Sequence, residues 1–425
     1  MMELGAERSA GGLMGIRRRA ACSVLVAALA VATRLPAGDA ARSPATGRIH
    51  GTVVTHAGTR ATGLIRWGGQ EAFWDDLFQS AKLDLPYPAY AEREPEPVEA
   101  EWWWQELGRR LVEAVEAEPD RVFTARFGDI AKLEPAGGRQ AVVTMRSGTT
   151  YRVSGHADDV GATLTLVDEA GGETEIEWGR IDVVELSAAP PGATFAGHRL
   201  YGTVDAGALR LTGFIQWDRD EALSSDRLDG DTDDGRASIP FATIRAIEKE
   251  SARSARVTLA DGRALVLEGT NDVDGRNRGI LVEDPRYGRV EVPWAAFVRV
   301  QLARPDGSGP SCTDFPVPRR LRGAVTTGDG ARHAGALHVD LDAAESWELL
   351  EGSGGGIRYQ IPFSRVASLE RDASVVTVTL VRGEGLRLDD GPAAGPQPVG
   401  VVVVGDDGVE TFVPWREVRR IDLAW

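Results

Sequence analysis

Apolar and polar residues alternate along most of this chain in short runs that predict β-strands. Residues 213–217, for example, read G-F-I-Q-W, and such runs are separated by turns rich in glycine and aspartate, as at Asp261 and Gly262. Alternation places every second side chain on one face of a sheet, and tight Asp-Gly turns are typical of β-hairpins. The pattern therefore predicts an all-β protein.

A nine-residue phrase recurs six times, with apolar residues at its first, sixth and ninth positions and an aromatic residue at its third, as in residues 239–247. The aromatic residues alternate between phenylalanine and tryptophan: Phe127, Trp178, Phe241, Trp294, Phe363 and Trp415. Apolar residues at a fixed spacing mark a buried face. We therefore interpret the six rings as core residues on short helical turns, and a carbohydrate-binding row of aromatic residues is the alternative.

This alternation divides the chain into three tandem units, at residues 48–187, 199–303 and 320–425. Each unit opens with a similar phrase that begins with Arg48, Arg199 or Arg320, and linkers rich in proline and glycine separate the units. The spacing of strands and turns predicts two small five-stranded barrels in each unit. An acidic, proline-rich and then helical insert at residues 84–120 interrupts the first unit.

One half of the second unit, about fifty residues, resembles the Sm-like small β-barrels. The resemblance is carried by residues 257–263, Gly269, Asp274, Asn277 and residues 280–284, which follow the order L-x-x-G-R, G, D-x-x-x-N and L-x-x-D typical of that family. It implies a strongly bent five-stranded sheet of the SH3-like kind. Members of the family typically form rings and bind RNA, with an asparagine that corresponds to Asn277. The other halves lack this asparagine, so we use the resemblance to predict the fold and not RNA binding.

The charge and the amino terminus limit the possible partners and the location. A formal net charge of −16 argues against nucleic acid, because Lys and Arg supply most of the affinity for phosphates. Residues 17–19 are arginines, an apolar run follows at 21–33, and small residues follow at 37–41. This order predicts a signal peptide over residues 1–41, hence a periplasmic or extracellular protein whose mature chain has no transmembrane span. An uncleaved membrane anchor is the alternative, and the whole chain also resembles uncharacterised secreted bacterial repeat proteins.

Three consecutive tryptophans, Trp102, Trp103 and Trp104, are the strongest candidate for a binding site. Trp104 continues an apolar stripe with Leu107 and Leu111 on a predicted helix, whereas Trp102 and Trp103 lie off that stripe. Exposed aromatic residues suit a partner protein, a glycan or a membrane surface. A helix that simply docks on its own unit is the structural alternative.

Acidic residues in the second unit form the other candidate. Asp229, Asp231 and Asp233 have the spacing of the first three ligands of a Ca²⁺ loop, although Gly235 is one place late for that loop and the twelfth position is not a glutamate. A hydrolase-like site over residues 218–234 is a further hypothesis, and a solvated loop is the structural alternative. Separately, one acid recurs in each unit: Asp76, Asp226 and Glu348. We expect each to pair with the opening arginine of its unit.

No G-x-S-x-G motif, phosphate-binding loop or zinc-like histidine spacing occurs in the sequence, and the predicted mature chain holds a single cysteine, Cys312. The sequence therefore predicts a non-enzymatic, exported binding or structural scaffold of the cell envelope, without a resident cofactor. Its partner would be a protein or another envelope component. A glycan- or membrane-binding module that uses the Trp-rich helix, and a hydrolase-like enzyme with an acidic site in the second unit, are the alternatives.

Overall fold

The computed structural model describes residues 42–91, 121–155, 159–389 and 399–425. Within these ranges the chain consists mainly of antiparallel β-strands, and its only α-helix there is the single turn Pro88–Ala91, α1. The described helical segments fall short of the length and apolarity that a bilayer crossing requires. The predicted all-β class is therefore confirmed.

The first unit contributes ten strands after a short leading strand, β1 (Arg42–Pro44). They are β2 (His50–Thr55), β3 (Arg60–Trp67), β4 (Leu77–Lys82), β5 (Arg121–Arg126), β6 (Ile130–Pro135), β7 (Gln140–Met145), β8 (Thr150–Ser154), β9 (Leu164–Val167), β10 (Glu173–Ile176) and β11 (Ile181–Leu186). The following linker holds β12 (Thr194–Ala196), which pairs with β1 in a two-stranded ribbon.

The second and third units also have ten strands each. Those of the second are β13 (Tyr201–Ala206), β14 (Leu209–Gln216), β15 (Arg227–Thr232), β16 (Gly235–Pro240), β17 (Ile244–Lys249), β18 (Ser254–Leu259), β19 (Ala264–Glu268), β20 (Ile280–Asp284), β21 (Gly288–Val292) and β22 (Arg299–Ala303). Those of the third are β23 (Arg322–Thr327), β24 (Arg332–Val339), β25 (Leu349–Gly354), β26 (Ile357–Pro362), β27 (Val366–Asp372), β28 (Val375–Leu380), β29 (Gly385–Leu388), β30 (Gly400–Val404), β31 (Glu410–Pro414) and β32 (Val418–Leu423).

The strands of each unit follow one order, which is clearest when they are lettered a to j along the chain. The first unit forms a ten-stranded sheet in the order i-h-b-a-j-e-f-g-c-d, and the ten strands of the second unit are arranged in the same order within a twelve-stranded sheet. The third unit keeps eight of these strands in its own sheet, and its strands c and d (β25 and β26) complete the sheet of the second unit.

The prediction that each barrel is built from five consecutive strands is wrong. Strand b pairs with strand h in every unit, as in β14 with β20, where Ile215 lies opposite Val282. Strands c to g thus form an inserted group between b and h. The reason is the b–c connection, a loop of nine or ten residues in each unit (68–76, 217–226 and 340–348) rather than a hairpin turn, so strand c leaves its chain neighbour. Hydrophobic alternation specifies the face of a strand and not its neighbour.

The second and third units are joined by a continuous sheet. Strand β21 of the second unit pairs antiparallel with β26 of the third, with Arg289 opposite Gln360 and Glu291 opposite Arg358. One hydrophobic core spans these two units, and a second core fills the first unit and also takes in Trp347 of the third unit. The units are therefore packed on one another rather than strung on flexible linkers.

The six repeated aromatic residues lie at corners between strands. Five of them are buried and Trp415 is half-buried against the core. The corners at Phe127, Phe241 and Phe363 are 3₁₀ turns. The main-chain N–H of each of these phenylalanines donates to the main-chain carbonyl of the recurring acid of its unit, at 2.9–3.0 Å. Each corner is thus anchored to the b–c loop, which is where the candidate site begins.

Candidate functional site at the junction of the three units

The recurring acid of each unit stabilises its own b–c loop. The Asp76 carboxylate accepts the N–H groups of Ala72 and Phe73, both at 2.8 Å. The same pattern holds in the other units: Asp226 accepts from residues 222 and 223, and Glu348 accepts from residues 344 and 345, at 2.6–2.9 Å. Main-chain donors that are buried without a partner are costly, so the acid is needed to close the loop.

The predicted pairing of this acid with the opening arginine of its own unit is wrong. Arg199 donates from Nη1 to both carboxylate oxygens of Asp75 in the first unit, at 2.7 and 2.9 Å. Arg48 donates to the Ala72 carbonyl at 3.1 Å and packs against the ring of Phe73. The backbone N–H groups use one carboxylate oxygen of each acid, and in the first and third units the other oxygen faces a neighbouring unit: that of Asp76 accepts from Arg289 and that of Glu348 from Lys82.

A second arginine extends the contact between the first two units. Arg289 donates to the Asp75 carbonyl and to the Asp76 carboxylate, both at 3.1 Å, and pairs with Glu283. Burial raises the pKa of Asp75 to about 6, against the opposing effect of Arg199. Burial alone would lower the pKa of Arg289, but Glu283 and Asp76 raise it above the ordinary arginine value. The network is therefore strongly charged and removed from water.

The first and third units meet through a lysine. Lys82 Nζ lies 3.0 Å from both Asp342 and Glu348, and all three side chains are buried. Burial raises the pKa of Glu348, although Lys82 acts in the opposite direction. Tyr151 of the first unit packs beside this group against Trp347 at 5.8 Å between ring centroids. Charged and aromatic contacts together fix the three units around one junction.

A cavity of about 880 Å³ opens at this junction, and we call it the junction cleft. Side chains from all three units and from the linker between the second and third line it, among them Arg126, Tyr201, Phe214, Phe315, Arg365 and Trp425. Leu77, Arg289 and Gln360 also border a smaller cavity of about 270 Å³, so the two spaces lie on either side of the charged network.

Two arginines form a cationic part of the junction cleft, whose lining also includes the acids Asp75, Glu283, Asp284 and Asp314. Arg365 donates from Nη1 to the carbonyl oxygens of Asp284 and Pro285, both at 3.2 Å, and within the described residues no carboxylate forms an ion pair with it. Burial lowers the pKa of Arg365, and Arg126 lowers it further. Arg126 pairs with Asp129 at 2.7 Å and lies over the Phe315 ring at 5.0 Å. A ligand anion between the two guanidinium groups would relieve their repulsion.

The mouth of the junction cleft is apolar. Val317 is 82% exposed, Val381 55% and Trp425 43%, and all three line the cleft. Isolated exposed apolar residues are normal, but several around one cavity mark a binding surface. The cleft therefore combines a cationic part with an apolar rim.

Sequence analysis did not single out Arg126 or Arg365. The two are 239 positions apart and approach only because β26 joins the sheet of the second unit. The sequence does show one local difference at Arg126. Arg126 directly precedes Phe127, whereas the other two corner phenylalanines, Phe241 and Phe363, are preceded by Pro240 and Pro362. A departure from a repeated phrase was the available clue.

The three acids of the Ca²⁺ hypothesis lie on the β15–β16 hairpin. Asp229 and Asp231 are on β15, Asp233 is in the turn, and the Asp229 carboxylate contacts Arg236 at 3.4 Å. Among the described residues, no group of three His, Cys, Asp or Glu side chains is arranged to hold a metal ion. The Ca²⁺ site stays a prediction from the spacing. Trp102, Trp103 and Trp104 lie outside the described residues.

Asp218 and Glu221, two acids of the hydrolase-like hypothesis, lie in the b–c loop of the second unit. Asp218 has a left-handed backbone (φ 51°), and its carboxylate contacts Asn271 and pairs with Arg278 at 3.0 Å. Asp272 accepts the Asp229 N–H at 2.7 Å. Glu221 lies nearby with a buried carboxylate oxygen that has no hydrogen-bond partner, and burial, aided by Asp272, raises its pKa to about 8.

The raised pKa of Glu221 has a counterpart in the first unit. Glu71 occupies the same position in its b–c loop, and burial together with Asp159 raises its pKa to about 8. The Asp159 carboxylate accepts a hydrogen bond from the Gln79 main-chain N–H at 2.6 Å. In the second unit the Asp272 carboxylate accepts one from the Asp229 main-chain N–H in the same way. Because the same carboxylates recur with the same contacts in two units, they belong to the framework of the loop.

Comparison with known proteins adds little. No protein-family model and no curated protein matches this chain. Among solved structures, a streptogramin B lyase structure is similar over 70% of this chain and 94% of its own, with 10% identity and a TM-score of 0.11. A TM-score of this size carries no argument about fold or activity.

Proposed function

We propose that this chain is a non-enzymatic binding protein that holds an anionic, partly apolar ligand in the junction cleft. A ligand with a carboxylate and a hydrocarbon portion fits the chemistry of the walls: guanidinium groups suit a carboxylate, and the rim of Val317, Val381 and Trp425 suits the apolar part. The location in the cell envelope, after export, is part of the proposal and rests on the sequence of residues 1–41.

The observation that carries the proposal is the environment of Arg365. Its guanidinium group contacts only carbonyl oxygens within the described residues, although the chain carries an excess of acids. Arg365 is partly buried. Arginine pairs readily with carboxylates in two-pronged geometry, and a cation withdrawn from water without such a partner is energetically unfavourable. An external carboxylate would supply the missing partner.

We infer further that each unit contains two small SH3-like barrels built from strands that are not consecutive. The groups j-a-b-h-i and e-f-g-c-d each contain five strands in neighbouring positions of the sheet. In both groups the fourth and fifth strands form a hairpin, and a corner turn leads from the fifth to the strand at the opposite end of the group. This arrangement supports barrels of five strands. The residues that carry the Sm-like resemblance lie on β18 and β20, which belong to different groups, so it does not support that alignment. The barrels would act as the rigid scaffold around the cleft.

The proposal is tested by titration calorimetry with octanoate and its neutral analogue octanamide. We expect octanoate to bind the wild-type chain more tightly than octanamide, and Arg365→Gln to remove that difference. Arg245→Gln is the matched control, because Arg245 is exposed on β17 and does not line the junction cleft. Equal binding of octanoate to wild-type and Arg365→Gln protein, or no binding to the wild-type chain, would contradict the proposal.

The Trp-rich segment remains an alternative binding site. Replacing Trp102, Trp103 and Trp104 together by alanine should abolish binding to glycans or lipid vesicles and leave the circular dichroism spectrum unchanged. Octanoate titration of the same variant separates the two sites, since loss of octanoate binding there would place the ligand outside the junction cleft.

A further inference from the structure

The joint between the second and third units shows how two sheets of this protein associate. Strand i of the second unit, β21, pairs with strand d of the third unit, β26. Glu291 lies opposite Arg358 in this register, and the two side chains form an ion pair at 3.5 Å. Opposite charges placed across neighbouring strands favour such a pairing.

The same two strand positions are unpaired at the other units. Four such strands are terminal in their sheets, β10 and β31 at position i and β5 and β16 at position d, and of these β10 and β16 carry the charges considered below. Glu173, Thr174 and Glu175 of β10 are exposed, and so are Arg236 and Ser238 of β16. Terminal strands present free main-chain donors and acceptors to any strand that can approach.

The two free edges match the residues of the existing joint. Aligning Trp178 with Trp294 places Glu175 at the position of Glu291. Aligning Phe241 with Phe363 likewise places Arg236 at the position of Arg358. In the register of the existing joint, Glu175 would therefore lie directly opposite Arg236.

We propose that β10 of one molecule pairs antiparallel with β16 of a second copy of this chain. A cavity of about 860 Å³ borders the β10 edge, with Glu173 and Glu175 on its wall, and it offers space for an incoming hairpin. The β15–β16 hairpin is suited to enter, because its tip residues from Asp233 to Arg236 are exposed.

Charge selects this pairing over the two symmetric ones. Two β10 strands side by side would bring glutamates close to glutamates, and two β16 strands would bring together their single charged residue, Arg236. Only β10 against β16 places opposite charges face to face. Because the two surfaces differ, the contact is head-to-tail, and a pair of associated molecules keeps one free β10 edge and one free β16 edge.

Two local contacts are affected by docking. Arg236 lies 3.4 Å from Asp229 in an exposed ion pair, which Glu175 would share. The Ser238 carbonyl at the β16 edge accepts a hydrogen bond from the Arg227 guanidinium group. A carbonyl oxygen has two lone pairs, so an incoming N–H uses the second or displaces Arg227. The edge therefore stays competent for pairing.

Sedimentation of the full chain across a range of concentrations tests the proposal. We expect the wild-type chain to self-associate, and added salt to weaken the association. Either Glu175→Arg or Arg236→Glu should weaken it by roughly three- to tenfold, since each change replaces an attractive cross-strand pair by a repulsive one. The double variant Glu175→Arg/Arg236→Glu restores opposite charges and should restore association.

The control is Glu417→Arg, which makes the same charge change on an exposed residue away from both edges. A wild-type chain that stays monomeric at several hundred micromolar would overturn the proposal. So would single variants that associate as the wild-type chain does, or a double variant that associates no better than the singles. These outcomes do not depend on octanoate binding, so this proposal and the binding function can fail separately.

Discussion

Arg199 of the second unit donates two hydrogen bonds to the carboxylate of Asp75 in the first unit, and both residues are buried. The pair lies beside Arg289, which also reaches Asp75 and Asp76. Breaking a buried pair leaves one charge without a partner, whereas removing both charges does not. The contact thus defines both the position of the first unit and a clear experimental test.

Replacing Arg199 by methionine should lower the free energy of unfolding by about 3–5 kcal/mol, because Asp75 would remain buried without its main partner. The double variant Arg199→Met/Asp75→Leu should recover much of that loss. Arg210→Met is the control: Arg210 pairs with Asp205 at 2.7 Å but is 73% exposed, so the expected loss is much smaller. Urea denaturation measures all three, and equal losses for Arg199→Met and Arg210→Met would refute the assignment.

Removing the recurring acid should destabilise its loop. Asp226→Ala leaves the N–H groups of Ala222 and Leu223 without their acceptor, and we expect a loss of about 1–3 kcal/mol in urea denaturation. Asp226→Asn retains one acceptor oxygen and should lose less. Glu268→Ala, an exposed acid on β19, serves as control and should change stability little. A loss for Asp226→Ala no larger than the control's would contradict the role of the loop acid.

Glu221 should make stability depend on pH. Its pKa in the folded protein is about 8, above the ordinary value of 4.5, so the folded state binds the proton more tightly. This contribution to stability is complete below about pH 4.5 and is lost as the pH rises towards 8. Glu221→Gln stays neutral, so it should unfold like the wild type at pH 4.5 and be more stable by about 1–2 kcal/mol at pH 8.5, after allowance for partial exposure.

Thermal denaturation of wild type, Glu221→Gln and Glu268→Gln at both pH values checks this expectation. Glu71→Gln should behave like Glu221→Gln, because burial raises the pKa of Glu71 to about 8 as well. A Glu221→Gln variant that gains no stability at the higher pH would show that the carboxylate is not desolvated as described.

The repeated aromatic residues should differ in their contribution to stability according to burial. Phe363 is 1% exposed, so Phe363→Ala should cost about 3–5 kcal/mol through lost contacts and the cavity left behind. Trp415 is only half-buried, and Trp415→Ala should cost less although it removes a larger ring. Urea denaturation followed by circular dichroism measures both. A larger loss for Trp415→Ala would contradict this account of the corners.

The sequence permitted prediction of local features and few long-range ones. Alternating runs located strands such as β14 and the hairpin turn at Gly262, and the phrase around Phe241 located a corner, because each depends on a few neighbouring residues. The pairing of β14 with β20 depends on strands 64 or more positions apart, and no local pattern encodes it. For the same reason the convergence of Arg126 and Arg365 could not be foreseen. The Arg199 partner was mistaken because it is Asp75 of the neighbouring unit, 124 positions away, and local spacing does not show which unit a side chain faces.

The insertion of strands c to g between strands b and h has a consequence for the order in which the chain acquires its structure during synthesis. Strands c to g follow one another in the chain and can pair as soon as they are made, whereas the hairpin of strands a and b must wait for h, i and j to complete its group. In the second unit, Ile215 finds its partner Val282 only after 67 further residues have been made. The inner group of each unit is thus expected to form first, and the outer group closes around it last.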